Sequence, residues 1–264
     1  MSTVGLARRA TDSAPPVRRY VEHVMGMPIS LALRGAHTDD RLATGAWEEA
    51  VAALRDVDRV FSPFRADSFI SRLDRGEIEV EDCPPEVAAV LEIGERMRLE
   101  SGGAFNVWRV GPEERLTLDP SGVVKGWAVE RAARPLASLP ETDVCLSAGG
   151  DMVCHVAAAT SPDWRVGVEN PLDPTRMVAM VPIRNGGVAT SGSAHRGAHV
   201  VDARTGVVPT ALASVTVVAG DLTTADLDAT AAFAMGGAGI EWLRDRRGRS
   251  GVVVWADGRA EVFG

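Results

Sequence analysis

Asp226 and Thr230 stand four residues apart in the run Thr223-Thr224-Ala225-Asp226-Leu227-Asp228-Ala229-Thr230. On a helix that spacing stacks a carboxylate and a hydroxyl on one face. Hard oxygen donors so placed suit Mg²⁺, which keeps waters or substrate phosphates in its remaining positions. Asp228 would be rotated by roughly 200° from Asp226 and would point elsewhere. The same residues also read as an ordinary helix start, with a threonine cap ahead of acids that favour the positive dipole end. A second segment, Asp119-Pro120-Ser121-Gly122-Val123-Val124-Lys125-Gly126, has small residues that let a ligand approach the backbone. The helix start beside them offers unpaired N–H groups, and Lys125 adds a point charge for a phosphate. Taken alone, the segment is more simply a glycine turn with a surface lysine, since a short glycine turn is a weak motif. In a third, His199 and Asp202 lie three apart before Thr205-Gly206 and could move a proton, although a structural histidine fits too. The fourth, Ser147-Ala148-Gly149-Gly150-Asp151, is a tight turn between apolar strands.

The elements that must position these residues can be read from periodicity. Residues 1–19 are polar and rich in Arg and Pro, which predicts a flexible leader before a domain over 20–264. Alternation around Ile29, Leu31 and Leu33 predicts a strand. Trp47, Val51, Leu54 and Val57 recur at helical spacing within a predicted helix over 44–60. A short segment over 70–73 follows, and Pro84-Pro85 opens a helix that stops before Gly102-Gly103. Beyond Pro120 a helix over 123–134 is expected to close at Pro135. Strands are predicted at 144–146, 164–168, 178–183, 199–201 and 215–218. Helices are predicted over 224–235 and around 240–246, and a terminal hairpin turns at Asp257-Gly258. Helices dominate the first half and strands the second, the pattern of an α+β fold.

Composition narrows the function classes. The chain has 264 residues, 45% apolar and 24% charged, enough to bury a substantial core. A net charge of −8 argues against a general nucleic-acid binder, which needs a basic face to release counterions. The three cysteines, Cys83, Cys145 and Cys154, show no CxxC spacing, so neither a zinc site nor a disulfide framework is indicated. Cys145 and Cys154 lie in apolar surroundings and read as core. No secretory signal and no membrane-spanning run is visible, and the default compartment is the cytoplasm.

The order of the motifs says more than any one of them. Met25-Gly26, the run Phe64-Arg65-Ala66-Asp67-Ser68-Phe69-Ile70-Ser71-Arg72-Leu73, Gly103-Ala104-Phe105, Asp119 through Gly126, Ala148-Gly149-Gly150-Asp151, Ala189-Thr190-Ser191-Gly192, His199 through Gly206 and Ala225 through Thr230 succeed one another as in ApbE-like proteins. Over about residues 22–237 the chain resembles this family of FAD:protein FMN transferases, some of which also hydrolyse FAD. The resemblance implies one domain of two interleaved lobes, with mixed sheets flanked by helices and a flavin cleft between them. It implies that Met25, Phe64, Ala104, Phe105, Asn106, Asp119, Lys125 and Val200 line the FAD site. Gly122 and Ala229, through their carbonyls, and Asp226 and Thr230 would surround Mg²⁺, or Mn²⁺ in its place. His199 falls where the family carries a histidine suspected of proton transfer, with Asp202 next to be considered and Lys125 stabilising charge. The implied activity is transfer of FMN from FAD to a Thr or Ser hydroxyl of an acceptor protein. The alternatives are an FAD pyrophosphatase and an FAD-binding protein without chemistry. The chain departs from the family where Phe64 replaces a tyrosine, Asn106 an aspartate and Ala203 a proline.

Overall fold

In the computed structural model, residues 16–110, 115–194, 197 and 200–264 are described. An eight-stranded sheet runs in the order β1 (Arg18–Val24), β2 (Met27–Gly35), β5 (Thr142–Ala148), β6 (Asp151–His155), β9 (Gly186–Gly192), β10 (Leu212–Ala219), β11 (Ser250–Trp255) and β12 (Ala260–Phe263). Two small hairpins stand apart from it, β3 (Trp108–Val110) with β4 (Leu116–Leu118) and β7 (Trp164–Asn170) with β8 (Asp173–Ile183). The α+β class holds. The mixed sheets expected resolve instead into antiparallel ladders throughout, because tight turns join most sequence neighbours and no parallel crossover is needed.

Alternation sets the faces of the sheet. Ile29, Leu31 and Leu33 sit opposite Ala148, Leu146 and Val144, and all six are buried. This face packs against α1 (Arg41–Phe61), α4 (Ser121–Ala137) and α5 (Leu222–Met235). The expected α1 stripe of Trp47, Val51, Leu54 and Val57 is buried. Asp40 caps the helix by accepting the Ala43 N–H at 3.0 Å, which satisfies one of the orphan donors of the first turn. The short helix α2 (Phe69–Asp74) and α3 (Pro85–Glu100) follow α1. The C-terminal Phe61 of α1 meets Trp127 of α4 edge to face, with ring centroids 5.6 Å apart. On the opposite side of the sheet, β7 and β8 cover a smaller apolar cluster of Cys154, Val166, Ile183 and Val188.

Several boundaries differ from the sequence reading. Strand β1 begins at Arg18, inside the segment expected to be a leader, because pairing with β2 satisfies its backbone. Pro135 lies inside α4. It costs only one late helical bond, and the Ser138 N–H still closes the last turn on Arg134 O at 3.2 Å. Val200 and Val201 form no strand. Asp202 instead opens a turn, donating its N–H to Val207 O at 2.9 Å and accepting the Gly206 N–H at 2.7 Å. The cap of α5 is Asp221, which accepts the Thr224 N–H at 2.7 Å; Thr223 and Thr224 already lie within the helix. The last helix, α6, spans Gly237–Arg244.

Candidate active site

Helices α4 and α5 bring the chemical residues together by lying unusually close. A Cβ on Gly126 would come within 2.9 Å of Asp226 Cβ, so only glycine allows this approach. Here Asp226 Oδ2 accepts the Gly126 N–H at 3.0 Å. Asp226 Oδ1 lies 3.2 Å from Lys125 Nζ, and the same ammonium pairs with Asp151 Oδ2. Asp151 starts β6, just after the β5–β6 turn, where Gly149 and Gly150 adopt φ of 58° and 101°. Its other oxygen, Oδ1, accepts the Thr190 N–H of β9 at 3.0 Å.

Both carboxylates are buried, Asp151 to 1% exposure and Asp226 to 2%. One ammonium against two carboxylates leaves this cluster short of positive charge. Burial, aided by the charge of Asp151 and opposed by Lys125, pushes the Asp226 carboxyl up to about 6. Burial works against the Lys125 charge, but the two carboxylates outweigh it and hold its pKa above the usual lysine value. Thr230, one turn beyond Asp226 on α5, shares a hydrogen bond with Ser191 of β9 at 3.0 Å. Among the described residues no group of three or more His, Cys, Asp or Glu side chains is placed to hold a metal. The donor set is nonetheless all oxygen, from carboxylates, hydroxyls and main chain, and such a set fits a hard cation that retains substrate oxygens.

Lys125 also opens onto a cleft of about 480 Å³ lined by Met25, Phe61, Phe64, Ser121 and Val124 among others. Met25 and Gly26 form the β1–β2 turn with φ of 56° and 71°. Phe64 is 96% exposed, leaving a bare ring face available for stacking. Phe105 is buried against the start of α4, where a Cβ on Gly122 would come within 2.9 Å of its ring. The Ala104 carbonyl accepts the Ala203 N–H at 3.0 Å, which joins the Gly103-Ala104-Phe105 segment to the Asp202 turn.

Other expected residues turn toward their own backbone. Asn106 Oδ1 accepts the Trp108 N–H at 3.0 Å. Asp119 Oδ1 accepts the Ser121 N–H at 3.0 Å, and its Oδ2 lies 3.3 Å from Arg109 Nε. Arg204 grips Asp202, and this pairing holds the Asp202 carboxyl below the usual range, which makes it a weak base. Val200 is half-buried against the main core, and Ala229 is fully buried. His199 lies outside the described residues. Asp151 and Ser191 were not singled out as site residues from sequence. The available signal was an aspartate opening an apolar strand, at a position that alternation turns inward.

Asp228 points away from Asp226, as the helical rotation requires. It is buried beside Arg246 and Arg249, with a 3.0 Å contact from Arg246 Nη2 and a 2.8 Å hydrogen bond from Arg249 Nε.

Comparison with known proteins bears on the family and the fold. Residues 25–113 and 108–254 match the model of the ApbE family. A curated FAD:protein FMN transferase of Haemophilus influenzae is 26% identical over 251 residues, 72% of this chain and 72% of that protein. The crystal structure of the ApbE protein from Thermotoga maritima superposes with a TM-score of 0.80 at 19% identity, over 94% of this chain and 97% of that one. The apo flavinyl transferase ApbE of Pseudomonas stutzeri gives 0.78 at 20% identity, over 96% of each chain.

Proposed function

The chain belongs to the ApbE family, and from that premise we propose that it is an FAD:protein FMN transferase acting on a Thr or Ser hydroxyl of an acceptor protein. The observation that carries this reading is the buried Lys125, Asp151 and Asp226 cluster opening onto a cleft with an exposed aromatic ring at Phe64. The adenylate half of FAD would lie toward Met25 and Phe64, with Ala104, Phe105, Asn106, Asp119 and Val200 around the rest. The acceptor oxygen bonds to the FMN-side phosphorus, the pyrophosphate bridge breaks, and AMP departs with the electron pair of that bond.

Mg²⁺, or Mn²⁺, held by Asp226, Thr230 and the carbonyls of Gly122 and Ala229, would supply charge compensation for the pyrophosphate. Lys125 and the N–H groups at the start of α4 stabilise the equatorial oxygens, where negative charge accumulates in the transition state. Asp151 keeps Lys125 aimed into the site. His199 takes the hydroxyl proton, since an imidazole titrates near neutrality. Phe64 stacks without the hydrogen bond that a phenol would add.

The test is incubation with FAD, Mg²⁺ and a candidate acceptor, followed by mass spectrometry. The expected result is one FMN adduct on a Thr or Ser for each AMP released. Free FMN with AMP and an unmodified acceptor would assign the site to FAD hydrolysis instead.

A further inference from the structure

On the side of the sheet away from the helices, two thiols meet. Cys145 of β5 and Cys154 of β6 are direct cross-strand partners, and Cys154 Sγ lies 3.7 Å from Cys145 Sγ. Both are free. Opposed residues in an antiparallel pair have Cα atoms about 4.5–5.5 Å apart, within the span of about 4.4–6.8 Å that a disulfide bridges. Closing the sulfurs to bonding distance therefore asks for side-chain rotation, not for a new backbone.

The surroundings make the two thiols unequal. Cys154 is buried among Val166, Ile183 and Val188, whereas Cys145 is only half-buried. The S–H that Cys154 donates holds the Cys145 thiol below its usual range, helped by the charges of Arg19 and Arg34 and opposed by burial. Arg34 is itself anchored, with Nε 2.8 Å from Asp143 Oδ2 and its guanidinium 4.1 Å from the Trp164 ring centroid. Cys154 is pushed up, first by its bond to Cys145 and then by burial. The third thiol, Cys83, is raised by burial and by Asp82. It supplies an internal comparison.

We propose that Cys145 and Cys154 form a dithiol site that a peroxide converts into a cross-strand disulfide, separate from the flavin cleft. The Cys145 thiolate attacks one peroxide oxygen, the O–O bond breaks, and hydroxide leaves, giving a sulfenic acid. The neighbouring Cys154 sulfur then displaces the sulfenic oxygen, which departs as water with the Cys154 proton. Two thiols are oxidised by two electrons, and one hydrogen peroxide is reduced to two waters. An added thiol reverses the step by exchange.

The experiment uses the full chain with stoichiometric hydrogen peroxide under native conditions. Intact mass should fall by about 2 Da, as two hydrogens are lost on forming one S–S bond. Titratable thiols should fall from three to one, and non-reducing digestion should link the Cys145 and Cys154 peptides. Dithiothreitol should restore both values. The Cys154→Ser variant should stop at a Cys145 sulfenic acid that dimedone traps, while Cys145→Ser should leave Cys154 unmodified. A folded wild-type protein that keeps all three thiols would overturn the proposal, as would sulfinic acid at Cys145 without a cross-link. Oxidation of Cys83 ahead of the pair would overturn it too.

Discussion

Asp226 and Asp228 differ by two positions and by everything that surrounds them. Asp226 faces a lysine already shared with a second carboxylate, whereas Asp228 is enclosed by two arginines. Asp226→Asn should abolish Mg²⁺-dependent turnover and the rise in melting temperature that Mg²⁺ produces. Asp228→Asn should instead destabilise the protein by about 1.5–3 kcal/mol, because it removes the buried charge that holds the half-buried Arg246 and Arg249, while the folded protein keeps its response to Mg²⁺. Equal loss of that response in both variants would remove Asp226 from the cation site. At His199 the expectation is kinetic. His199→Ala should slow single-turnover AMP release at saturating FAD by roughly 10²–10⁴-fold with little change in FAD affinity. An unchanged rate with a lower melting temperature would make it a packing residue. Helical spacing was enough to send the two aspartates to opposite sides. It could not reveal Arg246 and Arg249 as partners of Asp228, since pairing across elements leaves no periodic trace in the chain.

At the level of elements, the α4–α5 joint determines whether the site exists. Besides the Gly126 contact, Glu130 of α4 accepts the Leu222 N–H at the start of α5 at 2.6 Å. Burial, and then the charge of Asp221, raise the Glu130 carboxyl above its usual value near 4.5, against the Leu222 bond and Arg134. A carboxyl raised on folding binds its proton more tightly in the native state. Its contribution to stability is therefore greatest in acid and declines as pH rises through the folded value. Glu130→Gln keeps the acceptor oxygen without the charge, so it should be more stable than wild type at pH 7 and lose that advantage by pH 4. Urea unfolding at both values measures this, and a Gln variant less stable at pH 7 would show that the charge–dipole attraction prevails. The helices α1, α3, α4 and α5 were legible because their apolar stripes or proline starts are strong signals. Strand β9, Gly-Gly-Val-Ala-Thr-Ser-Gly, was not. Its small residues resemble a loop, and only its place between β6 and β10 makes it a strand. Strand β6 was anticipated as the second arm of the Ser147–Asp151 turn, although its bounds could not be read from so short an apolar run.

For the whole molecule, ligand binding should appear as stability. FAD at a hundred times its dissociation constant adds about 2.7 kcal/mol. For a chain of this size that is a melting-temperature rise of roughly 5–11 °C. Addition of a chelator should reverse the part that depends on a divalent cation. A rise no larger with FAD than with FMN would remove the adenylate subsite near Met25 and Phe64. Among the described residues no helix is long and apolar enough to cross a membrane. The order of motifs made the family and fold class legible, but not the strand order, because β2 finds β5 only after α1, α2, α3 and α4 intervene. That late pairing has a consequence for the nascent chain. Gly35 waits for Thr142, more than a hundred residues later, before β2 has its second neighbour. At translation rates of about 5–20 residues per second, the apolar edge bearing Ile29, Leu31 and Leu33 stays uncovered for roughly 5–20 s. During synthesis, the first ribbon of this protein therefore presents an unpaired strand edge of the kind that other chains can pair with.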